Sequence, residues 1–354
     1  MPTSALPDAV VAINGDPRCI IRCREGPVGG VDGSLRHSSD RQPTGGAIVQ
    51  LGFAMPHMLR LKASCQPWEA AVTGADQTRL AKWAEKLGYS MISIPEHHIV
   101  PASHVELSGP HYFSAYPAMG YIAGATETIR VNSCIAILPL QHPIVTAKAL
   151  STIDWLSGGR VTVTFAVGWM KEEFDLLGVA FNQRGAMAEE YIQAIIELWT
   201  SEKPEFEGRH VSFRNVVFEP KPVQKPFIPV WFGGDADAVL QRTARYGSGW
   251  WPFLTRPELI AEKIDYIKSQ SDYSGKLSDV FYGLSTSRVG EGHTVQDDPR
   301  ARPGMTRQEI IDRLGWFKEL GVTISAVPIP MLKCVEDYFD YTQWVAEEIM
   351  PAVK

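Results

Sequence analysis

Residues 91–98 read MISIPEHH, residues 129–138 read IRVNSCIAIL and residues 161–168 read VTVTFAVG. Each is a short apolar run that ends in a polar or Gly/Pro-rich turn and gives way to a helical pattern. Strand, turn and helix repeated in that order predicts parallel strands joined by crossover helices. In such folds the chemistry collects where the strands end at their carboxyl side. Glu96-His97-His98, the Leu138-Pro139 step and Gly168-Trp169 all occupy that position.

Working outward, residues 48–54 form an earlier strand ending at Met55-Pro56-His57. A helix capped by Asp76 buries Leu80, Trp83, Ala84 and Leu87 on one face and stops at Gly88. Helices over 112–125, from Pro143 and over 185–199 follow the next three strands. Over 203–227 the period changes. Phe206-Glu207-Gly208 and residues 211–218 predict a hairpin, and Pro220, Pro222 and Pro226 a stiff bridge. This stretch reads as an insertion after the fourth βα unit, forming part of the wall or lid of the site.

Further strands at 228–232, 249–252, 280–289 and 322–328 alternate with helices at 236–246, from Pro257, from a Thr306–Glu309 capping box and at 335–349. Eight units beginning at Ile48 predict an α/β fold, a (β/α)8 TIM barrel over residues 47–354. A doubly wound open sheet is the alternative, weakened because no Gly-x-Gly-x-x-Gly follows the first strand. Residues 1–46 are rich in Gly, Pro, Ser, Asp and Arg without periodicity. They are expected to be a flexible extension outside the core, with at most a short strand at 9–13.

The 354-residue chain is 45% hydrophobic and 21% charged, which allows a large globular core. A formal net charge of −6 gives no reason to expect nucleic acid or a membrane surface as partner. No membrane-length apolar run and no secretory signal is visible, so a cytoplasmic protein is expected. Cys19, Cys23, Cys65, Cys134 and Cys334 are scattered and read as reduced thiols. Cys19 and Cys23 lack a second Cys/His pair at ligand spacing, so no metal site is expected.

Alternation along a strand sends one histidine of Glu96-His97-His98 into the barrel mouth and the other outward. A neutral imidazole there can relay a proton, although a satisfied structural histidine fits the same pattern. His97, His98, His104 and His111 could ligate a metal, but no carboxylate pattern points to one geometry. Gly233-Gly234-Asp235 joins a strand to a helix, where free amides and the helix dipole favour a phosphate. Gly168 permits close backbone approach to a ligand, and Trp169 could wall an aromatic ring. Glu172 and Glu173 read as residues of a solvated helical face.

In order and spacing these motifs resemble the bacterial luciferase-like monooxygenase family. The matching run takes in Gly88-Tyr89, Glu96-His97-His98, residues 124–131, Leu138-Pro139, His142-Pro143, residues 154–160, Gly168-Trp169, Glu173-Phe174, Leu177-Gly178, residues 220–224 and Gly233-Gly234. The resemblance covers about 48–251 and implies a flavin or deazaflavin at the carboxyl-end mouth, often in a homodimer. It implies that His97 is the catalytic histidine and that a non-proline cis peptide falls at Ser133-Cys134 or Cys134-Ile135. It further implies a cofactor-binding set of His57, Glu96, Ser133, Cys134, Ile135, Gly168, Trp169, Gly233, Gly234 and Asp235. Luciferase carries a phosphate-contacting arginine where Val167 stands, so aldehyde-dependent light emission is not expected and the cofactor stays open. The leading expectation is a monooxygenase using O2 and reduced FMN from a separate flavin reductase on a small organic substrate. Hydride transfer with coenzyme F-420 is the alternative. A flavin-binding protein without turnover and a metal-dependent barrel hydrolase are rivals of other classes.

Overall fold

The computed structural model describes residues 49–61, 65–284 and 304–353. All of these belong to the unit Gly45–Lys354. The expected extension 1–46 with its strand at 9–13, together with Cys19, Cys23 and residues 285–289 of the seventh strand, lies outside the described residues.

The strands are β1 (Gln50–Phe53), β2 (Met91–Ile94), β3 (Arg130–Ile137), β4 (Val161–Ala166), β5 (Phe206–Glu207), β6 (Ser212–Phe213), β7 (Val230–Gly233), β8 (Gly249–Trp251), β9 (Asp279–Val280) and β10 (Ile324–Ser325). Eight of them form one parallel sheet in the order β10-β1-β2-β3-β4-β7-β8-β9. The ends meet, since Phe281 bridges Ile324 in parallel and Tyr282 N donates to Ile324 O at 3.0 Å. The expected (β/α)8 barrel is therefore the fold. The helices are α1 (Gly74–Leu87), α2 (Val105–Ser108), α3 (Ala115–Ala125), α4 (Pro143–Ser157), α5 (Lys171–Leu176), α6 (Arg184–Thr200), α7 (Asp237–Tyr246), α8 (Ile260–Ser269), α9 (Arg307–Glu319) and α10 (Val335–Trp344). Among the described residues no helix is long and apolar enough to cross a membrane.

Side-chain alternation fills the barrel in layers. Met91, Trp231, Phe281 and Ile324 pack together inside it, with Trp251 stacked on Phe281 at 3.6 Å. Trp231 fits only because β8 opens with glycine: a Cβ on Gly249 would stand 2.4 Å from the indole. At the amino ends, Arg130 pairs with Asp279 at 3.5 Å. Nearer the mouth, Ser93, Asn132 and Thr164 form a polar chain through contacts of 3.5 and 3.1 Å.

Three local readings change. Thr73, not Asp76, caps α1, and Asp76 sits three residues in as the other half of the capping box. The helix expected from residue 112 begins at Ala115, because Tyr112 bridges Leu59 in an antiparallel pair instead. The stretch 203–227 is not a lid. Its short hairpin β5–β6 leads to Gln224, whose Nε2 donates to Val161 O at 2.7 Å, at the amino end of β4. A segment that carries a helix into the next strand must return to that strand's amino end, opposite the mouth.

Gly249→Ala is expected to lower stability by about 1–3 kcal/mol, since neither the backbone nor Trp231 has room to yield. Gly315→Ala, in mid-α9 with nothing near its missing Cβ, should raise it by about 0.5–1 kcal/mol. Urea midpoints of the two variants check the pair.

Candidate active site

Past the end of β2 the Glu96-His97-His98 triplet separates by contact: Glu96 and His98 approach each other at 3.8 Å, while His97 packs against Tyr112 and Trp169. Glu96 is buried and braces neighbouring units: its carboxylate accepts from Ile137 N at 3.2 Å, Ala115 N at 3.4 Å and Gln141 Nε2 at 3.2 Å. Burial pushes the Glu96 carboxyl up, against the pull of His98 and of those amides.

His97 is held by a residue read from the sequence as solvated. Glu173, on α5, is 0% exposed, and its Oε2 lies 2.7 Å from His97 Nδ1. Its Oε1 accepts from His98 N at 2.7 Å and Ile99 N at 3.3 Å. Burial alone would raise the Glu173 carboxyl. The His97 bond and charge and the two amides outweigh it and hold the group below the ordinary range. An ionised Glu173 is an acceptor, so the proton between the pair sits on Nδ1. Among the described residues, Nε2 makes no protein hydrogen bond and is not a sealed-off orphan. It is the atom left for a ligand. Glu172, by contrast, is exposed and pairs with His104 at 3.1 Å.

Rings close around this pair. Tyr112 meets the His97 ring edge-on at 4.7 Å, Trp169 meets the same ring edge-on at 6.1 Å, and Trp169 also meets His104 at 5.7 Å. Tyr112 donates to Ser108 O at 2.6 Å, and burial followed by the Glu173 charge pushes its phenol up to about 12.

β3 carries a cis peptide at Cys134-Ile135, one of the two positions expected, where its register slips by one residue against β4. Ser133 bonds both the N–H and the carbonyl of Thr164 at 3.2 Å, so its hydroxyl is taken up inside the sheet. Burial pushes the Cys134 thiol well up, leaving it neutral. Ile135 reaches across to β7, where a Cβ on Gly233 would meet its Cδ1 at 2.6 Å.

The remaining expected positions divide. Gly168 has φ +82° and packs under Phe174, whose ring a Cβ would meet at 2.7 Å, so helix packing accounts for it without a ligand. Gly234 donates its N–H to Trp251 O at 3.0 Å, so that amide is not free. Among the described residues no side chain caps α7, which starts at Asp237 after Ala236. Asp235 turns away and clasps the loop after β8, accepting from Phe253 N at 3.0 Å, Leu254 N at 2.8 Å and Thr255 N at 3.0 Å. His57 meets His111 in a tilted ring contact at 4.5 Å.

Two further residues were not read from the sequence as functional. Arg184 donates through Nε to Gly168 O at 3.1 Å and through Nη1 to Phe181 O at 2.9 Å, which sets its guanidinium on the rim above β4. Tyr112 was placed in a helix. Glu173 alone had a signal, since Met170, Glu173 and Phe174 share a helical face whose other members are apolar. Among the described residues no group of three His, Cys, Asp or Glu side chains is arranged to hold a metal.

The chain is thus a parallel barrel with a buried histidine–carboxylate pair beyond the carboxyl ends of β2 and β4. The family model of the luciferase-like monooxygenases matches residues 57–289, and the chain belongs to that family. It is 34% identical over 290 residues to the uncharacterized protein Rv0953c of Mycobacterium tuberculosis, covering 78% of this chain and 94% of that protein. It is 30% identical over 157 residues to the FMNH(2)-dependent dimethylsulfone monooxygenase of Pseudomonas putida, covering 44% and 43% of the two chains. The coenzyme F420 dependent tetrahydromethanopterin reductase of Methanopyrus kandleri has the same fold, with a TM-score of 0.64 at 17% identity over 88% of this chain and 100% of that one.

Glu173→Gln is expected to lower stability by about 1.5–3 kcal/mol at pH 7, because three donors lose their charged acceptor. Glu173 has a folded-state pKa below 4.5, so its contribution is complete above about pH 4.5 and is lost as pH falls through the folded value. The difference between the unaltered protein and the variant should therefore shrink below that pH. Denaturant titrations of both proteins from pH 7 to pH 3 measure it.

Proposed function

We propose that the protein is a monooxygenase that uses reduced FMN, delivered by a separate flavin reductase, to oxygenate a small organic substrate. The observation that carries this reading is the buried Glu173–His97 pair, which presents Nε2 at the mouth of a barrel of this family. A relative named for FMNH2-dependent oxygenation supports it. When bound, reduced flavin supplies the electrons that activate oxygen.

The rim suits such a group. Ile135, Gly233 and the stacked Trp251 and Phe281 offer apolar walls, with the Ser93–Asn132–Thr164 chain as polar lining. The uncapped start of α7 and the Arg184 guanidinium supply the anion-binding end. Arg184 thereby offers the positive charge that Val167 cannot.

The chain's own contribution centres on His97. Glu173 keeps the proton on Nδ1 and fixes the ring, so Nε2 takes up or gives a proton at the reacting centre. Tyr112 and Trp169 pack the ring edges and limit water there. Coenzyme F-420 with hydride transfer is the second reading, favoured by the apolar Val167 ahead of Gly168. The homodimer implied by the resemblance, and the cytoplasmic location expected from the sequence, belong to the same proposal.

Titration of the purified protein with FMN and coenzyme F-420 side by side should show saturable FMN binding only. Binding of the deazaflavin alone overturns the oxygenase reading and keeps the site. His97→Ala should hold FMN as before yet lose roughly 10²–10⁴ in turnover. Unchanged turnover would instead indicate a flavin carrier. Arg184→Ala should weaken FMN about 10- to 100-fold and leave riboflavin, which has no phosphate, unaffected.

A further inference from the structure

Two histidines on the chain that leaves β2 are held by consecutive glutamates of α5. Glu173 holds His97, and Glu172 Oε2 lies 3.1 Å from His104 Nε2. Neighbouring side chains on a helix diverge by about 100°, so one short helix can grip the chain at His97 and again seven residues further on. Residues 99–111 form an excursion from the rim. It leaves at Ile99, whose N–H donates to Glu173, and turns through Ala102–His104 and α2. It returns in a narrow ribbon with the loop after β1, where Arg60 N donates to His111 O at 3.0 Å, Phe113 N donates to Met58 O at 3.1 Å and Leu59 bridges Tyr112. The His104–Glu172 contact ties this excursion down at its middle.

The pair packs on a tryptophan that already touches the site. The His104 ring meets Trp169 edge-on at 5.7 Å, and Trp169 meets the His97 ring edge-on at 6.1 Å. Among the described residues His104 Nδ1 is buried without a partner, so Glu172 is the polar group that fixes this imidazole. The bond from its own backbone amide, helped by the His104 bond, holds the Glu172 carboxyl below the ordinary range. An ionised acceptor puts the proton of the pair on His104 Nε2. An exposed ion pair adds little stability by itself. This one differs because the imidazole it fixes is packed against Trp169, and Trp169 in turn against His97, a residue only 8% exposed.

We propose that Glu172 and His104 are positioning residues whose bond seats Trp169 against His97 and limits the access of small molecules to that ring. They act through Trp169, not on the reacting atoms. The role rests on the reading of His97 as the reacting group; the clasp itself is a matter of geometry.

The probe is diethylpyrocarbonate, which carbethoxylates an unprotonated imidazole nitrogen. It is applied to the full chain at neutral pH, with the modified histidines followed by peptide mass mapping and the exposed His142 as internal standard. His97 should react about two- to fivefold faster in Glu172→Ala and in His104→Phe, which keeps a ring against Trp169 but loses the bond. Glu172→Gln, still an acceptor, should stay near the unaltered rate. The Glu172→Ala/His104→Phe double variant should react no faster than the faster single one, as for two halves of one contact. Where a variant fails to fold by circular dichroism, nitrogen NMR of the unaltered protein decides, with the neutral His104 ring expected to carry its proton on Nε2. An unaltered His97 rate in folded Glu172→Ala, additive effects in the double variant, or neutral His104 protonated on Nδ1 would overturn the proposal. Unchanged turnover in His97→Ala would remove only the reacting role of His97, and the carbethoxylation rates would still decide the clasp.

Discussion

A carboxylate removed from water must fill its oxygens with donors, and Glu173 does so by gathering one turn of chain around itself. Its three donors are the His97 ring and the two amides that follow it, so one side chain fixes both the loop after β2 and the imidazole that the loop carries. Glu173 comes from the helix after β4, two strands away, so this contact exists only while the barrel register is correct. Phe174 beside it packs against Gly168, which ties the same helix to the end of β4. Removing the carboxylate would leave the buried His97 ring and two part-buried amides without their acceptor at one stroke.

The Glu96-His97-His98 triplet divides its labour by contact. Glu96 joins two neighbouring units, holding the first turn of α3 and the end of β3. His98 comes to within 3.8 Å of that carboxylate. His97 turns instead to Glu173, Tyr112 and Trp169. The ribbon of residues 58–60 and 111–113 repeats this logic one layer further out, with Tyr112 on the site side and His57, His111 and Phe113 on the other.

The barrel was legible because its strands are continuous apolar runs, and its helices carry local stop and start signals such as Gly88, Pro143 and the Thr306 box. His97 and the Cys134-Ile135 step followed from the family resemblance. What stayed hidden depended on contacts far apart in the chain. Glu173 sits next to Glu172, and composition cannot tell a glutamate clasping His97, 76 positions earlier, from one in solvent. Tyr112 adjoins a helical pattern, and only its pairing with Leu59 takes it out of that helix. Asp235 and the amide of Gly234 looked available to a ligand because the loop and strand that occupy them come 17 to 20 residues later. The misplaced lid over 203–227 was a different matter. Its position after a helix and before a strand already fixed it to the amino end of the barrel.

The claim on which the account rests is the state of one ring, and nitrogen NMR of the histidine-labelled protein reads it directly. With the His97 resonances assigned by comparison with His97→Gln, the neutral imidazole should appear as the Nδ1–H tautomer, with Nε2 bearing the lone pair. Finding the neutral ring protonated on Nε2 instead would contradict the account, because Glu173 would then not be its hydrogen-bond acceptor.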